Sequence, residues 1–145
     1  KPDNILITRT GLPVLIDFGA ARESHGDLTP NFIESQGFTP PEQLKEGGKL
    51  GPWSDLYALG ATFYYILKGT GLPACHQREL YDKAAPLSAD PQLLSTYAPA
   101  LLRSIDRACS PAIEERYPSA AAWLAELHES KLSPATDSAA LLTKS

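Results

Sequence analysis

"KPDNILITRTGLPVLIDFG", residues 1–19, contains two short apolar runs, each bordered by one polar group: Asn4 ahead of Ile5-Leu6-Ile7, and Asp17 behind Val14-Leu15-Ile16. Short β-branched runs favour strands, and the Gly11 and Pro13 of the intervening TRTGLP punctuate a turn. The stretch therefore predicts a small β-hairpin that brings an amide oxygen and a carboxylate to one place on a rigid base. Both are hard oxygen ligands. Magnesium prefers such ligands, takes one or two carboxylates from protein, and completes its shell with water and substrate phosphates. A metal-bridged nucleotide is the chemistry this pattern points to.

The chain has 145 residues with an apolar fraction of 43%, ordinary for a soluble globular core, and a formal net charge of −4. Its Lys and Arg residues are scattered and form no basic stripe, so nucleic acid is not expected as a partner. Cys75 and Cys109 lie far apart, without Cys-x-x-Cys spacing or clustered histidines, which predicts neither a zinc site nor a disulfide framework and fits a reducing cytosol. No run of eighteen apolar residues and no secretory leader pattern is present. The chain contains no methionine, so Lys1 is not a translation start and the sequence reads as a fragment.

Beyond the hairpin, residues 20–51 are rich in Gly, Pro, Ser, Thr and charge without sustained periodicity, apart from a short helix expected after Pro41. A loop of that length inside a compact domain is usually functional. SDLYALGATFYYILK, residues 54–68, is apolar on nearly every face and stops at Gly69, a residue suited to the left-handed conformation that ends helices. It is expected to be the buried central pillar. APALLRSIDRAC, residues 98–109, places Leu101, Leu102, Ile105, Ala108 and Cys109 on one stripe of a surface helix. A third helix is predicted after the N-cap Ser119, carrying Ala120, Trp123, Leu124 and Leu127 toward the core.

KPDN and IDFG are each weak signals alone. They are followed at fitting distances by PPE (40–42), SDLYALG (54–60) and the arginine of EERYPS (114–119), and with these the chain resembles the eukaryotic-type serine/threonine protein kinases, in a bacterial style. The resemblance runs from the last part of the catalytic loop to the end of the C-terminal lobe, over residues 1–129, with 130–145 as tail or linker. It implies a mainly α fold with a small β-hairpin: a protein-kinase-like C-terminal lobe, truncated, with the N-lobe and the start of the catalytic loop absent.

By that resemblance Lys1 is the catalytic-loop lysine that neutralises the transferred phosphate, and Asn4 and Asp17 are the metal ligands. Phe18 and Gly19 complete the switch motif beside the nucleotide site. ATP is the implied nucleotide, and Mg2+, or alternatively Mn2+, the implied ion. Glu42 looks like the glutamate that pairs with a late arginine, here Arg116, and Asp55 like the aspartate that hydrogen-bonds the catalytic-loop backbone; these three are structural. Residues between Asp17 and Glu42 form the implied activation segment, with Ser24, Thr29, Ser35 and Thr39 as hydroxyls for phosphorylation. Ser35 aligns with the family threonine near the substrate hydroxyl, Glu34 stands where glycine is commonest, Phe38 replaces a tyrosine and Pro40 an alanine. These departures bear on substrate positioning rather than on the fold. HGDLTPN, residues 25–31, resembles the His-Gly-Asp loop of small-molecule phosphotransferases, but Asn31 follows Asp27 by four residues where that family has five, and no second metal aspartate follows.

The resemblance implies a kinase that transfers the ATP γ-phosphate to Ser/Thr of protein substrates, with the fragment alone inactive. The alternatives are a pseudokinase or scaffold and, less well supported, a small-molecule phosphotransferase. The expected setting is the cytoplasm, either free or as the cytoplasmic part of a membrane-anchored kinase whose membrane contact lies in flanking segments. In such kinases a helix ahead of the catalytic loop packs on the central helix, so one side of residues 56–67 is expected to be uncovered and to promote self-association. The isolated chain should therefore melt at a lower temperature than a longer protein that restores that helix. Equal thermal midpoints, with the isolated chain monomeric, would contradict this.

Overall fold

The computed structural model describes residues 1–16, 37–74, 78 and 84–132. The two apolar runs pair as an antiparallel hairpin of β1 (Ile5–Ile7) and β2 (Pro13–Leu15), in the register Ile5↔Leu15, Leu6↔Val14 and Ile7↔Pro13. Its turn closes on Thr8: the Leu12 N–H donates to the Thr8 hydroxyl, and Gly11, at φ +80°, donates its N–H to the Thr8 carbonyl, both at 2.9 Å. The second strand starts one residue earlier than its apolar run suggests. Pro13 is tolerated there because each strand of a two-stranded ribbon is an edge strand.

The pillar helix α1 spans Pro52–Lys68, with Gly51 as N-cap, Pro52 in its first turn and Gly69 at φ +74° closing its end. It begins two residues ahead of the expected Ser54 because Pro52 is preorganised for the first helical position, where its missing N–H costs nothing. Leu56, Tyr57, Gly60, Ala61 and Tyr64 form the buried face. They pack on α3 (Pro99–Ala108), whose Leu102, Ile105 and Ala108 are buried as its stripe predicts. Leu102 and Ile105 are fully buried, which contributes about 1.5–3 kcal/mol for each side chain.

Burial of α1 on all sides is not observed: Phe63 is 41% and Ile66 61% exposed, and Leu59 lies on the same face. The reason is geometric. α3 covers one side of α1, and on the other the ring of Trp123 meets Phe63 edge-on at 6.3 Å without covering it.

Between α1 and α3 lies a short helix, α2 (Pro91–Thr96), absent from the sequence reading. Asp90 nucleates it by accepting the Gln92 and Leu93 N–H groups at 2.9 and 3.4 Å, and the same carboxylate pairs with Lys68 at the end of α1. Ahead of it, Asp106 of α3 accepts the Leu87 and Ser88 N–H groups at 2.8 and 2.9 Å, which pins the 3-10 turn Leu87–Ala89 to α3.

The last helix, α4 (Ala120–Leu132), starts after Ser119, whose hydroxyl accepts the Ala122 N–H at 3.1 Å. Its inward residues are not all those expected. Trp123 is buried and Leu127 half-buried, but Leu124 is 53% exposed and Ala120 is exposed as well. Polar contacts set this rotation. The Tyr117 hydroxyl donates to Glu126 at 2.6 Å, Arg107 donates to the same carboxylate at 2.7 Å, and the Tyr117 ring stacks on Trp123 at 5.4 Å.

α1 and α3 approach tightly at Gly60, where an added Cβ would stand 2.9 Å from the Ala108 Cβ and 3.0 Å from the Cys109 Sγ. Neither neighbour is the far end of a flexible side chain, so overpacking outweighs the gain in helix propensity of about 1 kcal/mol. Gly60→Ala should destabilise the protein by about 1–2 kcal/mol in denaturant titration; an unchanged or raised midpoint would contradict this packing.

Candidate functional site

Residues 37–44 enter the described structure as a turn followed by the 3-10 turn Pro41–Leu44 that carries Glu42. Prolines at 40 and 41 restrict the backbone there and leave few N–H groups to satisfy. Phe38 packs edge-on against Tyr65 of α1 at 6.0 Å. The chain then doubles back so tightly that a Cβ at Gly48 would lie 1.8 Å from the Glu42 carbonyl oxygen. Both neighbours of the Glu42 turn thus lean on α1 or on the turn itself.

Glu42 is 5% exposed and Arg116 2% exposed, and they meet in a two-pronged ion pair. Arg116 Nη1 donates to Glu42 Oε1 at 2.8 Å and Nη2 to Oε2 at 3.1 Å. The rest of the guanidinium is also used: Nε donates to the Ser110 carbonyl at 2.6 Å, Nη2 to the Pro111 carbonyl at 3.0 Å, and Nη1 to the Trp53 carbonyl over a longer 3.5 Å. All five N–H groups of the guanidinium therefore have acceptors. The cation lies 4.7 Å over the Tyr57 ring of α1, an added favourable contact in a desolvated place. Ser54, at the start of α1, donates its hydroxyl to Glu42 Oε1 at 2.7 Å.

Burial pushes the Glu42 carboxyl up, but the hydrogen bonds from Arg116 and Ser54 outweigh it and hold the group below the ordinary glutamate range. A carboxylate depressed in the folded state adds stability that is complete above the unfolded value and lost as pH falls through the folded one.

The structure brings Glu42 and Arg116 together and leaves other anticipated site residues apart from them. Lys1 is half-exposed, with its amine 3.6 Å from Asp3, a surface pair of little energetic weight. Asn4 is half-buried at the end of the 3-10 turn Pro2–Asn4, and its carbonyl accepts the Ile16 N–H at 2.8 Å. Thr39 is half-buried beside Pro40. Asp17, Phe18, Gly19, Ser24, Thr29, Glu34, Ser35 and the HGDLTPN loop lie outside the described residues.

Asp55 is exposed and makes no hydrogen bond among the described residues; it lies on the uncovered face of α1, one turn before Leu59. Its carboxylate stands in the first turn of α1, where the helix dipole favours negative charge. Among the described residues no cluster of His, Cys, Asp or Glu forms a ready metal site. Contributors missed in the sequence are Ser54, Tyr57 and the Trp53, Ser110 and Pro111 carbonyls. Only Ser54 left a signal, as a hydroxyl three residues after the N-cap Gly51.

The family model described as the protein kinase domain matches residues 1–116, and the chain belongs to that family. It is 34% identical to serine/threonine-protein kinase F of Synechocystis over 144 residues, covering 90% of this chain and 26% of that protein. It is 48% identical over 71 residues to serine/threonine-protein kinase PknK of Mycobacterium bovis, covering 48% of this chain and 6% of the relative. Among solved structures it resembles one titled PpkA-294 apo form, with a TM-score of 0.69 and 35% identity over 86% of this chain and 43% of that one. The chain thus spans less than half the length of each of these relatives.

Arg116→Ala should destabilise the protein by about 3–5 kcal/mol, since it leaves the buried Glu42 carboxylate without its cation. Arg116→Lys should recover only part of this, because an ammonium cannot reproduce the planar fork. Loss of less than about 1 kcal/mol in Arg116→Ala would contradict the burial and pairing described.

Proposed function

We propose that the chain is the C-terminal-lobe part of a serine/threonine protein kinase that transfers the γ-phosphate of ATP to Ser/Thr side chains of protein substrates. Membership of the kinase family supports this reading, and so do the relatives named serine/threonine-protein kinases. One observation carries it at the level of geometry. The Ile16 N–H donates to the Asn4 carbonyl, so Asn4 lies opposite the residue covalently joined to Asp17.

An amide oxygen and a carboxylate contributed from the two arms of one hairpin are a hard donor pair that fits magnesium. Asn4 and Asp17 would hold the ion, which supplies charge neutralisation for the nucleotide phosphates when bound. Lys1, at the start of the same hairpin, adds a positive charge for the phosphoryl group in transfer. Phosphoryl transfer asks mainly for positioning and electrostatic stabilisation, so these groups act without forming a bond to the substrate. By family resemblance Phe18 and Gly19 complete the switch motif that accompanies the nucleotide site. The segment around Phe38 and Thr39, fixed to α1 through Glu42, is the platform for peptide substrates, and Thr29, Ser35 and Thr39 are its candidate phosphorylation sites.

The chain spans 43% of the matched kinase structure, and the activity is proposed for the whole protein. We place it in the cytoplasm, free or tethered to a membrane by other segments. Cys109 is a buried thiol outside any disulfide. The exposed Phe63 and Ile66 make self-association of the isolated chain the expected behaviour.

Phosphate transfer from magnesium-ATP to a Ser/Thr peptide by the full-length protein tests this reading. Asp17→Ala should lower kcat at least about a hundredfold, the scale of losing one preorganised electrostatic group. A folded full-length protein that transfers no phosphate would replace the reading with that of a pseudokinase acting by binding.

A further inference from the structure

Ser54 is 8% exposed, and its hydroxyl has two partners at different distances: Glu42 Oε1 at 2.7 Å and the Gly51 N–H at 3.3 Å. A hydroxyl has one proton, and an ionised carboxylate only accepts, so the proton lies toward Glu42 and a lone pair toward Gly51. The contacts form one directed chain, from the Gly51 N–H through the Ser54 O–H to Glu42, where Arg116 arrives from the other side. The shorter bond is the charge-assisted one, so the main duty of this hydroxyl is to Glu42 rather than to capping the helix.

Its position gives that bond a second consequence. Arg116 ties Glu42 to the loop after α3 through the Ser110 and Pro111 carbonyls and to α1 only at one remove, through the Trp53 carbonyl at 3.5 Å and the Tyr57 ring, whereas Ser54 is the α1 side chain that hydrogen-bonds the carboxylate directly. Without it, the Glu42 turn keeps its cation and loses its side-chain hydrogen bond to the pillar helix. We propose that Ser54 is a positioning residue that sets the register of residues 37–44 on α1, and thereby the affinity of the full-length protein for its peptide substrate. The substrate part of this inference rests on the kinase reading above. The register part does not.

If the segment is in its productive arrangement for only a fraction of the time, apparent affinity falls by that fraction. In the full-length protein, Ser54→Ala should raise KM for a Ser/Thr peptide about threefold or more while kcat and KM for ATP stay within about twofold. The same variant should move the acid unfolding midpoint to higher pH, since a Glu42 with one donor fewer is less depressed. Ser54→Thr, which keeps the hydroxyl, should behave like the parent. In a Glu42→Gln background, Ser54→Ala should have a smaller effect on both readouts, because the charge-assisted bond is already gone.

An unchanged peptide KM and acid midpoint in Ser54→Ala would overturn the proposal. Equal effects of Ser54→Ala with and without the Glu42→Gln substitution would also overturn it, reducing Ser54 to a cap. If Ser54→Ala does not fold at neutral pH, a Ser54→Thr variant that is equally unstable overturns it and one that folds like the parent supports it. If the parent transfers no phosphate, the kinase reading fails alone, and the acid midpoint and its dependence on Glu42 still decide the role of Ser54.

Discussion

The ion pair between Glu42 and Arg116 joins residues 74 positions apart, a span that no local motif can bridge. It converts a loop-borne turn with little helix or sheet of its own into a fixed element. Burying two charges is costly, and the cost is offset only where every donor and acceptor is met. Here it is met by backbone carbonyls on one side and by Ser54 on the other, with an aromatic ring beneath the cation. The weight of the arrangement lies in specificity: a carboxylate displaced by an ångström would strand a buried guanidinium.

Around that pair the packing is ordinary and strong. α1 and α3 close on each other at Gly60, and α3 in turn receives α4 through a mixed cluster of Arg107, Tyr117, Trp123 and Glu126. In that cluster Arg107 lies 4.2 Å over the Tyr117 ring while it pairs with Glu126, so one cation binds both faces of the junction. Burial pushes the Tyr117 hydroxyl up, and the neighbouring Glu126 carboxylate pushes it further, keeping it a neutral donor across the physiological range. The hairpin stands apart from this core. Leu6, Val14 and Leu15 are largely exposed, and a two-stranded ribbon of this kind is marginal without cover.

Much of this architecture is legible from residue type and spacing. The apolar runs around TRTGLP announce the hairpin, Gly69 the end of α1, and Leu102, Ile105 and Ala108 the inward stripe of α3. The meeting of Glu42 and Arg116 is expected only through family resemblance, since nothing in local spacing relates two residues so far apart. Other features are hidden for physical reasons. α2 is six residues long, too short for periodicity, and its only sign is Asp90 before Pro91. Apolarity alone points Leu124 inward, because it takes no account of the polar contacts of Glu126, which rotate α4.

A double-mutant cycle on Glu42 and Arg116, read as unfolding free energy, tests the central claim most directly, because it separates the pair from the burial of either residue. With both groups desolvated and bonded through two prongs, the coupling should approach the upper end of the range for contacting residues, about 3 kcal/mol. Coupling below about 0.5 kcal/mol, with the single-variant effects simply adding, would mean that the two residues do not depend on each other and that residues 37–44 are held by something else.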